Sequence, residues 1–382
     1  MEKDTLFIGL DVHKATIAVA LASSKPPKGV VPEVRYYGTI ASTPEALRGL
    51  CKRLLKGPEG DTVLLHFCYE AGPFGYGAQR LLTELGHRCD VVAPSLIPRR
   101  AGSRVKTDRR DAILLAETLR AGQLSGIWVP DRSHEAIRDL VRLREQAVRD
   151  QRRSRQQLLS FLLCHGLECR HENWTKAHRR WLAELRLGHP AQHLVLEELL
   201  GRIERAEALC ERLKPAIAEL VGQSPLAPTV SAVQALRGFS LINAAVVVTE
   251  VGDFSRFTHP RQLMAYLGLT PSEHSSGATV RRGGITGAGS AMARTALVEA
   301  AWAYRHPARR TPVLLKRLEG LPEDIQAVAW KAQVRLSTRY RQLLARGKSA
   351  PTAIVALARE LAGFVWAIAR LVAPPPAAPH AA

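Results

Sequence analysis

Residues 5–23 read TLFIGLDVHKATIAVALAS, and this stretch decides how the first third of the chain is read. Two apolar, β-branched runs, TLFIGLDV (5–12) and ATIAVALAS (15–23), flank the short polar step His13-Lys14. That pattern predicts two strands joined by a tight turn. Outward from it, EVRYYGTI (33–40) reads as a third strand and TVLLHFCYE (62–70) as a fourth, with RCDVVAP (88–94) as a fifth. Between them TPEALRGLCKRLL (43–55) has helical spacing, with Thr43 or Ser42 as its cap, and FGYGAQRLLTELG (74–86) is a helix stopped at Gly86. DRRDAILLAETLRAG (108–122) is a further helix, ended by Gly122. Three consecutive strands followed by βαβ units predict a mixed α/β sheet over residues 1–125.

Strand signals vanish over residues 131–225. On a helical projection of 137–153, Ile137, Leu140, Val141, Ala147 and Val148 share one side. Arg138, Arg142, Arg149, Arg152 and Arg153 fill an arc of about 100° beside it. A second helical run covers 194–213, so two long helices with a turn near Gly188–Pro190 predict an antiparallel, coiled-coil-like hairpin. The arginine stripe is either a solvated face or a phosphate-contacting one. The scarcity of interleaved acids over 149–157, where Asp150 stands alone, favours nucleic acid. Pro225 and Pro228 mark a linker. Residues 229–315 read as a unit of short helices and glycine-rich loops, residues 316–372 as helices, and 373–382 as a disordered Pro/Ala tail.

Composition narrows the partner. The 382 residues carry 54 Lys+Arg against 35 Asp+Glu, a formal charge of +19, with 46% hydrophobic residues. Such a chain buries real cores and attracts a polyanion, nucleic acid ahead of an anionic membrane surface. No segment reaches the roughly 18 apolar residues of a membrane span, so no membrane partner is expected. The start, MEKDTLFIGLDVHK, lacks the basic and apolar run of a signal peptide. A cytoplasmic, nucleoid-associated protein is expected. The six cysteines include no C-x-x-C pair, and Cys164, His165, Cys169 and His171 match no zinc signature.

Four acids stand where strands or helices begin or end: Asp11 in GLDVHK, Glu70 in CYEAGP, and Asp108 and Asp111 in KTDRRDA. Carboxylates at strand ends project into the crevice where open α/β sheets bind ligands. Converging there, they repel one another, and a divalent cation removes that penalty. An oxygen-only ligand set suits Mg²⁺ (or Mn²⁺). The structural alternative is that Asp108 caps its helix and Asp111 complements the dipole. Asp11 resists it, because an unpaired carboxylate in an apolar strand is costly.

GLDVHK, YEAGP and KTDRRDA, in that order, resemble the DEDD transposases of insertion-sequence family 110, which include the Piv-type DNA invertases. The resemblance implies a RuvC-like, RNase H fold over residues 1–125. It maps the family's Asp-Glu-Asp-Asp tetrad onto Asp11, Glu70, Asp108 and Asp111 as catalytic metal ligands. A second stretch runs from Gly252-Asp253-Phe254 through AYLGL, SEHSSG and GGIT. On residue chemistry alone it is a polar loop whose hydroxyls and paired Arg281-Arg282 contact phosphate. Ser275, Ser276 or a nearby threonine is a nucleophile only if arginines or a metal activate it. This stretch is similar to the family's C-terminal transposase domain, and that similarity implies a catalytic serine at Ser276, with Ser275 as the neighbouring alternative. One departure is Gly287, where many members carry lysine after Ile-Thr. LRGFSLINAAVVVTEVG (236–252) resembles a helix-hairpin-helix element, although Arg237-Gly238-Phe239-Ser240 replaces the usual Pro-Gly-Ile-Gly. A plain apolar core helix over 241–248 is the competing reading.

The expected protein is therefore a DNA recombinase of α/β plus all-α architecture. The resemblance further implies composite sites in a homo-oligomer, a dimer or tetramer assembled through the helical hairpin, and a structured guide (bridge) RNA. Two other readings share its charge: a RuvC-like junction endonuclease using activated water, and a decayed transposase that only binds nucleic acid.

Overall fold

The computed structural model describes residues 4–24, 34–56, 63–98, 107–276 and 279–372. The Pro/Ala tail expected to be disordered lies outside the described residues. The chain divides into two compact units, Met1–Val129 and Pro130–Ala382.

The first unit contains β1 (Asp4–Val12), β2 (Thr16–Ser23), β3 (Arg35–Ala41), α1 (Pro44–Leu55), β4 (Val63–Glu70), α2 (Gly77–Glu84), β5 (Arg88–Val92) and α3 (Asp108–Arg120). The five strands form one mixed sheet in the order β3-β2-β1-β4-β5. β1 is antiparallel to β2, with Asp11 opposite Ala18, and parallel to β4, with Leu10 opposite Tyr69. β4 and β5 are parallel. Strand alternation sorts the two faces. Ile8, Leu10, Phe67 and Tyr69 point into a core that includes Leu47 and Leu50 of α1 and Leu81 and Leu82 of α2. The other face receives α3. Ala18, Ala20 and Ala22 of β2 meet Ala112 and Ala116 of the helix there.

Gly9 sets how closely α3 approaches. A Cβ at that position would stand 2.2 Å from the Ala112 carbonyl oxygen and 2.5 Å from the Ala116 nitrogen. The helix backbone thus rests directly on β1, which only glycine permits. The sequence expectation for all five strands and three helices of this unit holds, except that α2 begins at Gly77, later than the predicted start. The intervening loop is fixed by the Tyr69 hydroxyl, which donates to the Gly75 carbonyl at 3.0 Å.

The second unit is helical apart from one hairpin. It comprises α4 (Arg132–Cys164), α5 (Lys176–Glu184), α6 (Pro190–Gly222), α7 (Ala227–Val233), α8 (Leu241–Val251), α9 (Pro260–Tyr266), β6 (Pro271–Glu273), β7 (Arg282–Ile285), α10 (Ala291–Ala301), α11 (Pro312–Leu318), α12 (Glu323–Ala345) and α13 (Ala350–Val372). α4 and α6 run antiparallel. Ile137 and Val141 share a core with Leu213, Ile217 and Val221, while Leu158 and Leu162 at the other end pack with Leu196 and Ile203. Between the long helices the structure adds α5, capped by Thr175, which the sequence reading had passed over. One continuous core then runs from Ile137 to Ala369.

One expectation for this unit changes. α13 is a 23-residue helix with mean hydropathy 1.6 over an 18-residue window, so a segment of membrane-span length does exist. Its Ala353, Ile354, Leu357, Leu361, Val365 and Ile368 are buried in the core of the unit. The sequence reading missed it because the apolar residues are broken by Arg359 and Glu360. In the 236–252 segment, a Cβ on Gly238 would stand 2.2 Å from the Ala300 carbonyl oxygen, and Ala244–Val251 are buried. Glycine is therefore required there for close packing against α10.

Candidate functional site

The sheet and α3 bring the predicted acids to one end of the first unit. Gly9 and Asp11 lie two residues apart on β1 and so share the face that carries α3. Thr107, rather than Asp108, caps that helix: its side chain accepts from the Arg110 amide at 3.3 Å. Asp108 and Asp111 consequently occupy the first turn of α3, immediately before the Ala112 that sits on Gly9. Glu70 ends β4 one register step beyond the Leu10–Tyr69 pair, alongside Asp11. It shares the α3 face with Cys68, whose thiol donates to the Leu115 carbonyl at 3.5 Å.

Asp11, His13 and Asp108 form a group whose ligand atoms all lie within 4.8 Å of one another. His13 Nε2 is 3.1 Å from Asp11 Oδ2 and 3.5 Å from Asp108 Oδ1. Asp11 is 18% exposed and Asp108 64%, so the group is anchored on the sheet and open on its outer side. Burial pushes the Asp11 carboxyl above its usual range, and the charges of Asp111 and Asp108 act the same way. The His13 hydrogen bond and charge oppose them. Crowded carboxylates beside an imidazole, with the Asp11 carboxyl pushed up by burial, have the donor chemistry of a divalent-cation site. Asp111 belongs to the neighbourhood through its effect on Asp11, whereas Glu70 stands outside the 4.8 Å group. Another carboxylate on this face, Asp90, is engaged by His66 at 2.8 Å, which holds its pKa low.

His13 was not singled out from the sequence. The available signal was its position two residues after Asp11, which strand alternation places on the same face. The turn that holds it is closed by the His13 amide donating to the Thr16 carbonyl at 2.8 Å.

Ser276 belongs to the second unit, at the tip of a hairpin formed by β6 and β7 that was not foreseen among the glycine-rich loops. Its backbone exchanges two 3.1 Å hydrogen bonds with Thr279. The hydroxyls of the two adjacent serines differ. Ser275 Oγ donates to Glu273 Oε1 at 2.8 Å and accepts from the Arg281 amide at 3.2 Å. Ser276 is exposed, and its hydroxyl has no partner among the described residues. Arg282 pairs with Glu273 at 3.3 Å, which draws the Glu273 carboxyl below its usual range together with the Ser275 hydrogen bond. Beyond the hairpin, Arg294 Nη1 donates to the carbonyls of Leu267 at 3.2 Å and Gly289 at 3.3 Å, and to that of Ala288. This ties the glycine-rich segment to the end of α9.

The arginine stripe of α4 divides in two. Arg142 binds Glu250 of α8 through Nε at 2.7 Å and Nη2 at 3.2 Å. Burial works to raise the Glu250 pKa, but the Arg142 hydrogen bonds and charge, with Ser290 and Arg138 adding, hold it below the usual value. Arg142 therefore serves an internal carboxylate, to which Arg138 adds only its charge. Further along, Arg152 pairs loosely with Glu299 at 3.4 Å and Arg153 with Asp150 at 3.8 Å. Arg149 is exposed and has no ion pair among the described residues. Cys164, His165, Cys169 and His171 form no metal-ligand group among the described residues.

Comparison with known proteins fits this arrangement. A family model for the DEDD transposases of IS110 matches residues 8–165, which hold all four acids. A second, described as the transposase IS116/IS110/IS902 family, matches residues 230–313, which hold the serine hairpin. A putative transposase (y4qE) of Sinorhizobium fredii is 49% identical over 365 residues, covering 95% of this chain and 88% of the relative. The chain belongs to the IS110 family of DEDD transposases. The transposase for insertion sequence element IS1533 of Leptospira borgpetersenii is 30% identical over 362 residues, 91% of this chain and 99% of the relative. The transposase for IS1111A of Coxiella burnetii is 25% identical over 273 residues. This transposase is thus an enzyme that acts on DNA, and its family implies a divalent cation at the acidic residues.

Proposed function

We propose that this transposase cuts and rejoins DNA by transesterification, with Ser276 as nucleophile and Asp11, Glu70, Asp108 and Asp111 as the ligands of Mg²⁺ or Mn²⁺. The observation that carries the reading is the gathering of Asp11 and Asp108 within one ligand-sized group, with Asp111 close enough to perturb Asp11. The sheet order, with a central β1 antiparallel to β2 and parallel to β4, supports a RuvC-like RNase H fold for this unit.

A divalent cation bound there supplies charge neutralisation and draws electron density from a scissile phosphate. The carboxylates hold and orient that charge, with Asp11 fixed by the sheet and Asp108 by the helix start. Ser276 Oγ then attacks phosphorus. An Oγ–P bond forms as one P–O ester bond breaks, the serine proton leaves, and the departing sugar oxygen takes up a proton. Reversal on an exchanged strand restores the phosphodiester, so no nucleotide triphosphate is consumed. Arg281 and Arg282 flank the serine and are suited to hold the phosphate oxygens. Arg138, Arg149, Arg152 and Arg153 are suited to contact the DNA backbone further out, Arg142 being engaged by Glu250. Because the acids and the serine belong to different compact units, sites completed between subunits of a dimer or tetramer form part of the proposal. So does target choice by a structured guide RNA.

The test is a denaturing gel of the protein with its element-end DNA and Mg²⁺. A covalent protein–DNA band that disappears in Ser276→Ala, while DNA binding persists, is the expected result. Cleaved DNA with free ends and no such band would favour the second reading, a metal-dependent junction endonuclease. Its motivation is that all four acids lie in a single compact unit.

A further inference from the structure

Beyond the four acids, the metal centre contains a nitrogen. His13 Nε2 faces Asp11 Oδ2 at 3.1 Å and Asp108 Oδ1 at 3.5 Å. A single ring nitrogen thus touches the two carboxylates that come from separate elements, a strand and a helix start. Its ring is held from behind: Phe74 lies edge-on at 6.5 Å between centroids, and the backbone is fixed by the turn to Thr16. Two ligands on opposite sides of a cation with bonds of about 2.2 Å stand about 4.4 Å apart. The three donor atoms, all within 4.8 Å of one another, are therefore spaced to meet one ion after small side-chain rotations. Among the described residues this is the group of three or more metal-ligating side chains with that spacing.

We propose that His13 is a nitrogen ligand of the divalent cation and makes the site select Mn²⁺ over Mg²⁺. The inference rests on the metal-binding reading of the acidic residues and adds the identity of the ion. Mg²⁺ is a hard ion that favours oxygen donors and retains water, whereas affinity for imidazole rises along the transition series. A site of carboxylates alone separates the two ions weakly. An imidazole in the ligand set penalises Mg²⁺ and stabilises Mn²⁺. Facing two carboxylate oxygens, Nε2 is the hydrogen-bond donor of the unloaded site; for binding, its proton would leave to solvent or the ring would take the Nδ1–H tautomer, which frees the Nε2 lone pair for the ion.

The experiment titrates the full-length protein with MnCl₂, followed by electron paramagnetic resonance, and with MgCl₂, followed by calorimetry. Pulsed spectra of the Mn²⁺ complex report any directly bound nitrogen. Wild type is expected to show ¹⁴N modulation that His13→Gln removes. The variant should bind Mn²⁺ about tenfold more weakly or worse while its Mg²⁺ affinity changes little. His13→Glu, which restores a donor but an oxygen one, should bind Mn²⁺ without nitrogen modulation and shift the preference toward Mg²⁺. Bound Mn²⁺ without nitrogen coupling in wild type, or coupling that persists in both variants, overturns the proposal while leaving the metal site intact. Equal loss of both ions in both variants also overturns it, because His13 would then only hold Asp11 and Asp108 together. Failure of wild type to bind either ion, with Asp11→Asn behaving identically, would bring down the metal reading itself.

Discussion

Asp11 and Glu70 stand at the ends of strands whose Ile8, Leu10, Phe67 and Tyr69 are buried, whereas Ser276 belongs to a hairpin none of whose strand residues is buried. The acids inherit their positions from a core: β1 is fixed by its neighbours on both sides, and α3 is pressed onto Gly9. The serine inherits its position from a few local bonds, the Ser276–Thr279 pair and the Glu273–Ser275–Arg281 links. The contrast suits the roles proposed for each group. Ligands that share one charge must be held against mutual repulsion, which needs a rigid frame. A nucleophile must reach a phosphate on a large, variable partner, and an exposed turn allows that approach. Damage to the two regions should therefore read out differently.

The largest effect is expected at the first region. Gly9→Ala places a methyl group against the α3 backbone. It should destabilise the first unit by about 3 kcal/mol and abolish divalent-ion binding, as followed by thermal unfolding and Mn²⁺ titration. Unchanged metal affinity would mean that the seam does not set the site. Next comes the hairpin. Ser276→Ala should remove covalent adducts by at least about a thousandfold, with unfolding shifted by less than about 0.5 kcal/mol. Ser275→Ala, which removes the Glu273 and Arg281 contacts, should retain adducts at reduced yield. The reverse ranking in a quantitative adduct assay would reassign the nucleophile.

Two smaller effects probe the helical frame that carries the hairpin. Arg142→Ala leaves the Glu250 carboxylate buried without its bidentate partner. Removing one partner of a buried pair costs about 3–5 kcal/mol, and because Arg142 itself is half-exposed we expect about 2 kcal/mol in urea unfolding. The smallest effect concerns pH. Hydrogen bonds from Arg179, with Arg155 adding, hold the Glu207 carboxyl down at about 2, against an ordinary 4.5. A depressed folded pKa means that the pair stabilises the α4–α6 hairpin above the ordinary value. That contribution is then lost as pH falls from 4.5 toward 2. The stability gap between wild type and Glu207→Gln should accordingly be full near neutrality and close across this acid window. A gap independent of pH would rule the ion pair out as its source.

Much of the first region was legible because its signals are local and redundant. The alternation in 5–23 marks both strands, and the four acids stand at element ends that turn and cap residues announce. Asp108 was placed correctly at a helix start, although the cap itself is Thr107. The part proposed for His13 was hidden, since a polar residue in a turn is ordinary until Asp108 is brought beside it by the fold. The second region was less legible for the same reason. α5 owes its place to a small core of Leu182 with Leu158, Leu162 and Leu196, which come from both long helices, and the β6–β7 hairpin is held by polar pairs such as Arg282–Glu273 rather than by an apolar alternation. The fate of Arg142 depends on Glu250, 108 residues away.

The strip formed by Gly9, Ala18, Ala20, Ala112 and Ala116 has a consequence for how this enzyme can vary. It behaves as a hinge pin with no clearance: any enlarged side chain along it acts as a wedge that tilts the whole acidic helix. Substitution to larger side chains is therefore disfavoured along this line by packing alone. A saturation library scored for transposition should show tolerance dropping along these five residues as sharply as at the acids themselves, with no contact to metal or nucleic acid needed to explain it.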